Sequence, residues 1–561
     1  MSLLPLDLDI NIQIAESLPS IPGEAVQHGE IFTRPWIVEM ILDLVNYEAS
    51  RDLASYRLVE PACGQGAFLG PIAARISSSC RRHERPLADA QDAVMAFDLL
   101  PDNVDASRRT VTEILKADGW NSTEADTLAT AWIRQGDYLL QEHPATIDFV
   151  VGNPPYIRIE DVPRERTAVY RTLWSTMTGR SDIYVGFFEA ALRSLRSGGF
   201  LGFICADRWM RNQYGQSLRH LIGSKFAMET TISMHDVDAF EEPVAAYPAI
   251  TVIRSGKQGD AAVVEATKDF NQVSAAELVK WIASESPQQT QHRDFEAARL
   301  GHWFSGTDFW PTGSPARIAV LDKLAQRFPT LDDPRIGARI GIGVATGADK
   351  IFITNDPNLV EADRLLPLSM VRDVTTGNLD WSGHYLVNPW DEHGNLVELH
   401  QYPRLERYFN DHRQVLANRY IARKNPDRWF KTIDKVNHNL AGVPKLLFPD
   451  MKLSSHPVLD HGGLYPHHNL YFVIADAWDL NVLGGILLSR VAEAFVSAYA
   501  VRMRGKTLRF QAQYLRRIRI PEPQSIPQSV CDQLADAFRN RDTDAATKAA
   551  LDAYQLDAWP D

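Results

Sequence analysis

Cysteine is scarce and scattered. The 561 residues include four cysteines, Cys63, Cys80, Cys205 and Cys531. None forms a CxxC pair and none stands beside a histidine cluster at metal-ligand spacing, so neither a disulfide framework nor a metal site is expected, and a reducing compartment is the natural setting. No secretory leader is expected either, since MSLLPLDLDINIQ has no basic stretch and is broken by Pro5, Asp7 and Asp9. No apolar run is long enough and free enough of charge to cross a bilayer. The most apolar late segment, NVLGGILLSRVAEAFVSAYAV from Asn481, carries Arg490 and Glu493 inside it and is expected to be a core helix. These absences together predict a cytoplasmic protein with no membrane partner.

Excess positive charge is also absent, for the net charge is -13. The sum argues against a polyanionic partner, but the distribution reverses the argument. VRMRGKTLRFQAQYLRRIRI, from Val501 to Ile520, holds Arg502, Arg504, Lys506, Arg509, Arg516, Arg517 and Arg519 and no acid. A second basic region holds Arg413, Arg419, Arg423, Lys424, Arg428, Lys431 and Lys435, with Tyr420, Trp429 and Phe430 between them. One such run is usually a solvated face. Two in the same half of the chain, each interleaved with aromatics, point to a nucleic-acid surface.

Hydrophobic residues make up 45% of the chain, enough for full cores, and the length favours more than one domain. Up to about residue 255, short apolar runs alternate with helical patterns, as in an α/β domain with a mostly parallel sheet. Strands are expected near RLVEPA at 58, AVMAFD at 94, IDFVVG at 148, GFLGFICA at 200, TTISMH at 231 and AITVIR at 250. Helices are expected over 103–117 and 184–196, the latter closed by Ser197, Gly198 and Gly199. The boundaries read as an N-terminal extension to 28, a catalytic domain over 29–270, a polar linker over 271–313, a second α+β domain over 314–525 that opens on a helix at 315–327, and a helical tail over 526–561.

The chemistry lies at the carboxyl ends of the expected strands. EPACGQGAFL, residues 60–69, runs from a strand through a glycine turn into a helix, so Gly64 and Gly66 allow close backbone approach and the helix start offers free amides. Asp98 ends the next strand and Asp137, in RQGDYLL, follows another. A glycine turn and two acids in this order suit a nucleoside-containing ligand. In IDFVVGNPPYIR the strand is stopped by Pro154 and Pro155, which lack N–H donors and have fixed φ. The carbonyls of Asn153 and Pro154 and the Asn153 side chain are then acceptors at the same edge, and Tyr156 adds a flat ring. Neutral acceptors beside a stacking ring fit a planar group with an exocyclic NH2.

These residues carry a family resemblance. NPPY resembles the (N/D/S)PP(Y/F/W) motif of amino-group methyltransferases that use S-adenosyl-L-methionine, and EPACGQGAF resembles their methionine-binding loop. GEIFTRPWIVEMILDLV, from Gly29, is similar to the GxxxTPxxxVxxM element of the gamma-class, TaqI-like adenine-N6 DNA methyltransferases, with Arg34 inserted between Thr33 and Pro35. The order of the motifs, followed by a long C-terminal domain, is the gamma arrangement. CADRWMRNQYGQSLR, IGIGVATGADKIFI and LRFQAQYLRRIRIPEP resemble segments of Eco57I- and TaqI-like methylases of type II restriction-modification systems. The resemblance spans most of residues 28–521.

The resemblance implies a Rossmann-like methyltransferase domain plus an α+β target-recognition domain, with Thr33, Glu60, Pro61, Ala62, Gly64 and Gly66 around the methionine part of the cofactor. It implies Asp98 on the ribose and Asp137 on the adenine amino group, with Asn153 touching cofactor and target. Asn153, Pro154, Pro155 and Tyr156 would act on a flipped adenine, with Phe240 as the second aromatic and Tyr247 its competitor. Double-stranded DNA would meet Arg502, Arg504, Lys506, Arg509, Arg516, Arg428 and Lys431. A monomer, with a companion endonuclease acting on the same site, completes the expectation. The rivals are an RNA-base or protein-glutamine methyltransferase of the NPPY type, the modification subunit of a multi-subunit system, and an inactive methylase fold that only binds DNA.

Overall fold

A computed structural model describes residues 18–22, 29–143, 145–242, 247–284, 287–301, 307–500 and 507–560. The chain divides into two compact units, Met1–Ile318 and Ala319–Asp561.

The first unit is built on a ten-stranded sheet. Its strands are β1 (Leu58–Glu60), β2 (Val94–Asp98), β3 (Ile133–Gln135), β4 (Ile147–Gly152), β5 (Leu195–Ala206), β6 (Ala227–Ser233), β7 (Pro248–Arg254), β8 (Ala261–Ala266), β9 (Gln289–Gln291) and β10 (Phe295–Leu300). They lie in the order β3-β2-β1-β4-β5-β7-β6-β8-β10-β9. From β3 to β5 all pairs are parallel, whereas β7 inserts antiparallel to both neighbours. The longer helices are α1 (Pro35–Leu44), α2 (Leu69–Arg82), α3 (Pro101–Ala117), α4 (Ser122–Trp132), α5 (Arg164–Leu173), α6 (Tyr184–Ser194), α7 (Gln216–Lys225) and α8 (Gln272–Ala283).

β4 shows why this sequence makes a central strand. All six of its residues are buried. Phe149 and Val151 join a core cluster with α1, α2, α3, α4 and α8, while Ile147 and Val150 join a cluster with α5, α6 and α7 on the other face. A strand covered on both faces reads as a continuous apolar run, and that run is IDFVVG. The chain leaves β1 toward β2 and β3 on one side, while β4 and β5 lie on the other, so the crevice above β1 and β4 is the switch point where doubly wound sheets hold ligands.

Four expectations need correction. Residues 271–313 are not a linker: α8 is capped by the Asn271 side chain, and β9 and β10 extend the sheet through β8. The segment looks polar because β9 is an edge strand with Gln289 and Gln291 exposed. The helix from 184 ends at Ser194, and residues 197–199 lie within β5, where Gly198 N–H donates to Ser255 O at 2.9 Å and Ser255 N–H to Gly199 O at 2.8 Å. The late apolar segment is two buried helices, α9 (Leu480–Leu488) and α10 (Arg490–Tyr499), bent by 60°. Ser489 caps the second by accepting from Ala492 N–H. No single described helix is long and apolar enough to cross a membrane. Finally, residues 526–561 are not a tail, because α11 (Gln528–Arg539) and α12 (Thr543–Tyr554) pack on α9 and bury Leu534, Phe538 and Tyr554.

The second unit has a sheet of β11 (Ala338–Ile342), β15 (Lys445–Pro449), β17 (Val458–Asp460) and β19 (Leu470–Ala475), ordered β11-β19-β15-β17. A second sheet holds β12 (Ile353–Thr354), β13 (Leu365–Ser369), β14 (Tyr385–Val387) and β18 (Tyr465–Pro466), and a third pairs β16 (Met451–Lys452) with β20 (Leu508–Arg509).

Candidate active site and cofactor cleft

A cleft of about 830 Å3, its open mouth included, lies at the carboxyl ends of β1, β2 and β4. Among its lining residues are Thr33, Glu60, Pro61, Ala62, Gly64, Asp98, Asp137, Asn153 and Pro155, so most of the predicted cofactor set is brought together. Gly66 is not among them. Its φ is +93°, and a Cβ there would sit 3.3 Å from Ser107 on α3, so this glycine serves helix packing.

The acids differ in surroundings. Glu60 is 1% exposed and its Oε2 has no hydrogen-bond partner. Burial, with help from the nearby Asp98 charge, pushes its carboxyl well above the usual carboxylate range. Asp98 accepts from Gly64 N–H through Oδ2 at 2.9 Å and from Leu100 N–H through Oδ1 at 2.9 Å, which ties the glycine turn to the end of β2. Asn103 Nδ2 donates to Asp98 Oδ1 at 3.1 Å and also to Glu30. Burial raises Asp98 as well, with the three donors opposing it. Asp137 accepts from Leu139 N–H through Oδ1, and from Arg166 and the Tyr170 hydroxyl through Oδ2. Burial raises its pKa against those donors.

At the NPPY turn, Asn153 Nδ2 donates to Ile31 O at 2.9 Å and to Thr33 Oγ1 at 3.2 Å. Ile31 O can only accept, so the amide nitrogen is forced toward the upstream GEIFT segment. Asn153 Oδ1 is thereby turned the other way, buried and without a partner. Pro154 is buried, Pro155 and Tyr156 are half-buried, and Tyr156 N–H donates to Gly29 O at 3.2 Å. The Tyr156 ring packs on the core cluster of α5, α6 and α7. Phe240 reaches this edge by its backbone: it bridges Thr33, Arg34 N–H donates to Ala239 O, and Glu241 N–H donates to Phe32 O. Its side chain is 5% exposed, within the core. Tyr247 is half-buried, its carbonyl accepts from Asp207 N–H at 3.1 Å, and its ring meets His235 edge-on at 5.1 Å.

Sequence reading missed Ile21, Glu30, Leu99, Tyr138, Tyr170, Ile183 and Phe187, which also line the cleft. Glu30 sits inside the quoted GEIFT element and was findable; the apolar lining residues carried no signal beyond hydrophobicity.

In the second unit the basic residues separate. Arg502, Arg504 and Lys506 lie outside the described residues. Arg509 is paired with Asp450 and Arg516 donates to Ile340 O at 3.2 Å, so both have internal partners. Arg428 is exposed and Lys431 half-buried. The aromatic interleaving of the 413–435 region is mostly structural: Trp429 and Phe430 are each 8% exposed in a core cluster, and only Tyr420, at 71%, stands in solvent. Asp349, His467 and His468 are the one group among the described residues with metal-ligand proximity. His467 Nε2 lies 3.2 Å from Asp349 Oδ2, but its Nδ1 is buried without a partner, so a metal on Nε2 would leave an N–H unpaired.

Residues 96–240 match the family model of the Eco57I restriction-modification methylases. The chain is 43% identical over 539 residues to the type II methyltransferase M.PaeR7I of Pseudomonas aeruginosa, spanning 95% of this chain and 93% of that protein. It is 39% identical over 535 residues to M.XhoI of Xanthomonas vasicola, spanning 94% and 97% respectively. The solved structure of the type IIL restriction-modification enzyme MmeI in complex with DNA shares the fold, at a TM-score of 0.54 and 11% identity over 99% of this chain and 75% of that one. The methyl donor is S-adenosyl-L-methionine, and the cleft fits it: an orphaned buried carboxylate at Glu60 suits an ammonium, and an apolar slot of Ile21, Tyr138, Ile183 and Phe187 beside Asp137 suits an adenine. With relatives this similar aligned over nearly its whole length, the chain belongs to the type II methyltransferases of restriction-modification systems.

Proposed function

We propose that the chain methylates N6 of an adenine in a specific sequence of double-stranded DNA, flipping the base out of the duplex to do so, and thereby protects that DNA from a companion endonuclease. The first unit is the catalytic domain in this reading, and the second reads the target. The protein would work as a monomer in the cytoplasm. The observation that carries the proposal is the buried Asn153 Oδ1, left without a partner on a residue that lines the cleft because Nδ2 is taken by Ile31 O and Thr33 Oγ1.

S-adenosyl-L-methionine supplies an electrophilic methyl group when bound. For the protein, the task is to make a weak nucleophile available. The lone pair of adenine N6 is delocalised into the ring. Asn153 Oδ1 and the Pro154 carbonyl accept hydrogen bonds from the two N6–H groups and favour a pyramidal nitrogen with its lone pair free; after the methyl group is transferred, the extra N6 proton is lost to solvent. Asn153 is neutral, so it acts as a fixed dipole and not as a base. Flipping costs a few kcal/mol, and stacking on Tyr156 returns about 1–3 kcal/mol. Glu60 and Thr33 flank the methionine part, Asp98 the ribose and Asp137 the adenine amino group.

The test is Asn153→Ala. The expected result is a fall in kcat of about 100-fold or more, with S-adenosyl-L-homocysteine affinity within a few-fold of wild type. Near wild-type methylation would overturn the assignment.

A further inference from the structure

Arg166, on α5, is buried at 6% exposure and belongs to none of the sequence motifs. Its Nη1 donates to Asp137 Oδ2, and its Nε donates to Pro19 O at 2.9 Å. The Tyr170 hydroxyl, one helical turn further along α5, donates to the same Asp137 oxygen. Two residues beyond Pro19, Ile21 is 8% exposed and forms part of the cleft wall beside Tyr138 and Phe187. One guanidinium therefore holds a carboxylate and a stretch of the N-terminal segment at the same end of the cleft.

We propose that Arg166 is the positioning residue of the cofactor's adenine subsite, setting Asp137 to read the 6-amino group and fastening the segment that carries Ile21 into the cleft wall. This rests on the reading of Asp137 as the acceptor for that amino group. With Oδ2 occupied by two donors, the carboxylate cannot rotate. Oδ1 accepts from Leu139 N–H at 3.0 Å and keeps a second lone pair. An exocyclic amine can donate to that lone pair, whereas a carbonyl in the same place meets a fixed negative charge. Lysine cannot replace the arrangement, because one ammonium on a flexible stem lacks the planar fork that serves two acceptors in different directions.

The test uses the full chain and two ligands, S-adenosyl-L-homocysteine and S-inosyl-L-homocysteine, which differ by an amino or a keto group at the 6-position and by an acceptor or an N–H donor at N1, a second difference that is the same for every variant. Dissociation constants are measured by calorimetry for wild type, Arg166→Gln, Arg166→Lys and Ile21→Ala. Wild type is expected to prefer the adenosyl ligand by roughly 10- to 100-fold, the range for a hydrogen bond to a charged group. Arg166→Gln should lose most of that preference, weakening the adenosyl ligand markedly more than the inosyl ligand, which loses only the contribution of the wall, and Arg166→Lys should fall between. Ile21→Ala should weaken both ligands equally, because the wall is blind to the amino group. Equal weakening of both ligands by Arg166→Gln, or an unchanged preference, overturns the proposal. If Arg166→Gln does not fold, an unchanged preference in Arg166→Lys overturns it. A wild type that fails to discriminate overturns the reading of Asp137 itself, and the proposal with it.

Discussion

Glu60 is the residue whose setting makes the sharpest prediction about pH. Burial raises its folded-state pKa well above the ordinary glutamate value, so the ionised form is disfavoured in the folded, ligand-free chain. Stability contributed by the neutral form is complete below the unfolded pKa and is lost as pH rises toward the folded one. A ligand that brings an ammonium to the carboxylate must release that proton. Affinity for S-adenosyl-L-homocysteine is therefore expected to rise with pH across that window, with proton release measurable by calorimetry in buffers of different ionisation enthalpy. Glu60→Gln should flatten the dependence and make the free protein more heat-stable than wild type at alkaline pH, but not in acid. Thr33 belongs to the same scale. Thr33→Val removes one of two acceptors that orient the Asn153 amide and should lower kcat about 10-fold, consistent with one lost hydrogen bond, with cofactor affinity weakened as well because the same hydroxyl flanks the methionine part. The motif residues were legible because strand, glycine turn and proline stop each leave a local signature. The partners of Asp137 were not: Arg166 and Tyr170 lie 29 and 33 residues away in sequence, and no spacing rule joins them.

At the scale of elements, the placement of α1 decides whether the GEIFT segment reaches Asn153. α1 begins two residues after Thr33 and lies against β5 at Gly202, where an added Cβ would stand 2.7 Å from Val45 Cγ1 and 3.0 Å from Ile41 Cγ2. Gly202→Val should force the helix away from the sheet, cost about 1–3 kcal/mol of stability, and depress activity beyond what that loss explains, measured by denaturant unfolding beside turnover. The six strands expected from apolar runs are all present, because β1, β2, β4, β5, β6 and β7 are largely buried and their burial is written as hydrophobic sequence. β9 is hard to read for the opposite reason: an edge strand with two exposed glutamines has the composition of a loop. The break at Ser489 is hidden because apolar residues continue on both sides of it, and only the serine cap marks the bend.

For the molecule as a whole, charge distribution predicts how it meets its polyanionic partner. Arg428 and Lys431 are the described members of the proposed DNA surface that no internal ion pair is seen to occupy, while Arg509 is held by Asp450. Replacing Arg428 and Lys431 by alanine should weaken binding on all duplexes alike and reduce the slope of log affinity against log salt by about 0.9 for each phosphate that is no longer neutralised. Arg509→Ala should act mainly on stability. The aromatics between those charges mislead a reading from sequence, since Trp429 and Phe430 fill a core that composition cannot distinguish from a stacking platform. The central claim remains the chemistry at Asn153, and one measurement addresses it most directly. The chain is expressed in a host without DNA methylation, and the host DNA is sequenced by a single-molecule method that reports modified bases. N6-methyladenine at nearly every copy of one discrete sequence motif, lost with Asn153→Ala, is the predicted result; unmodified DNA, or methylation confined to cytosine, would contradict the account.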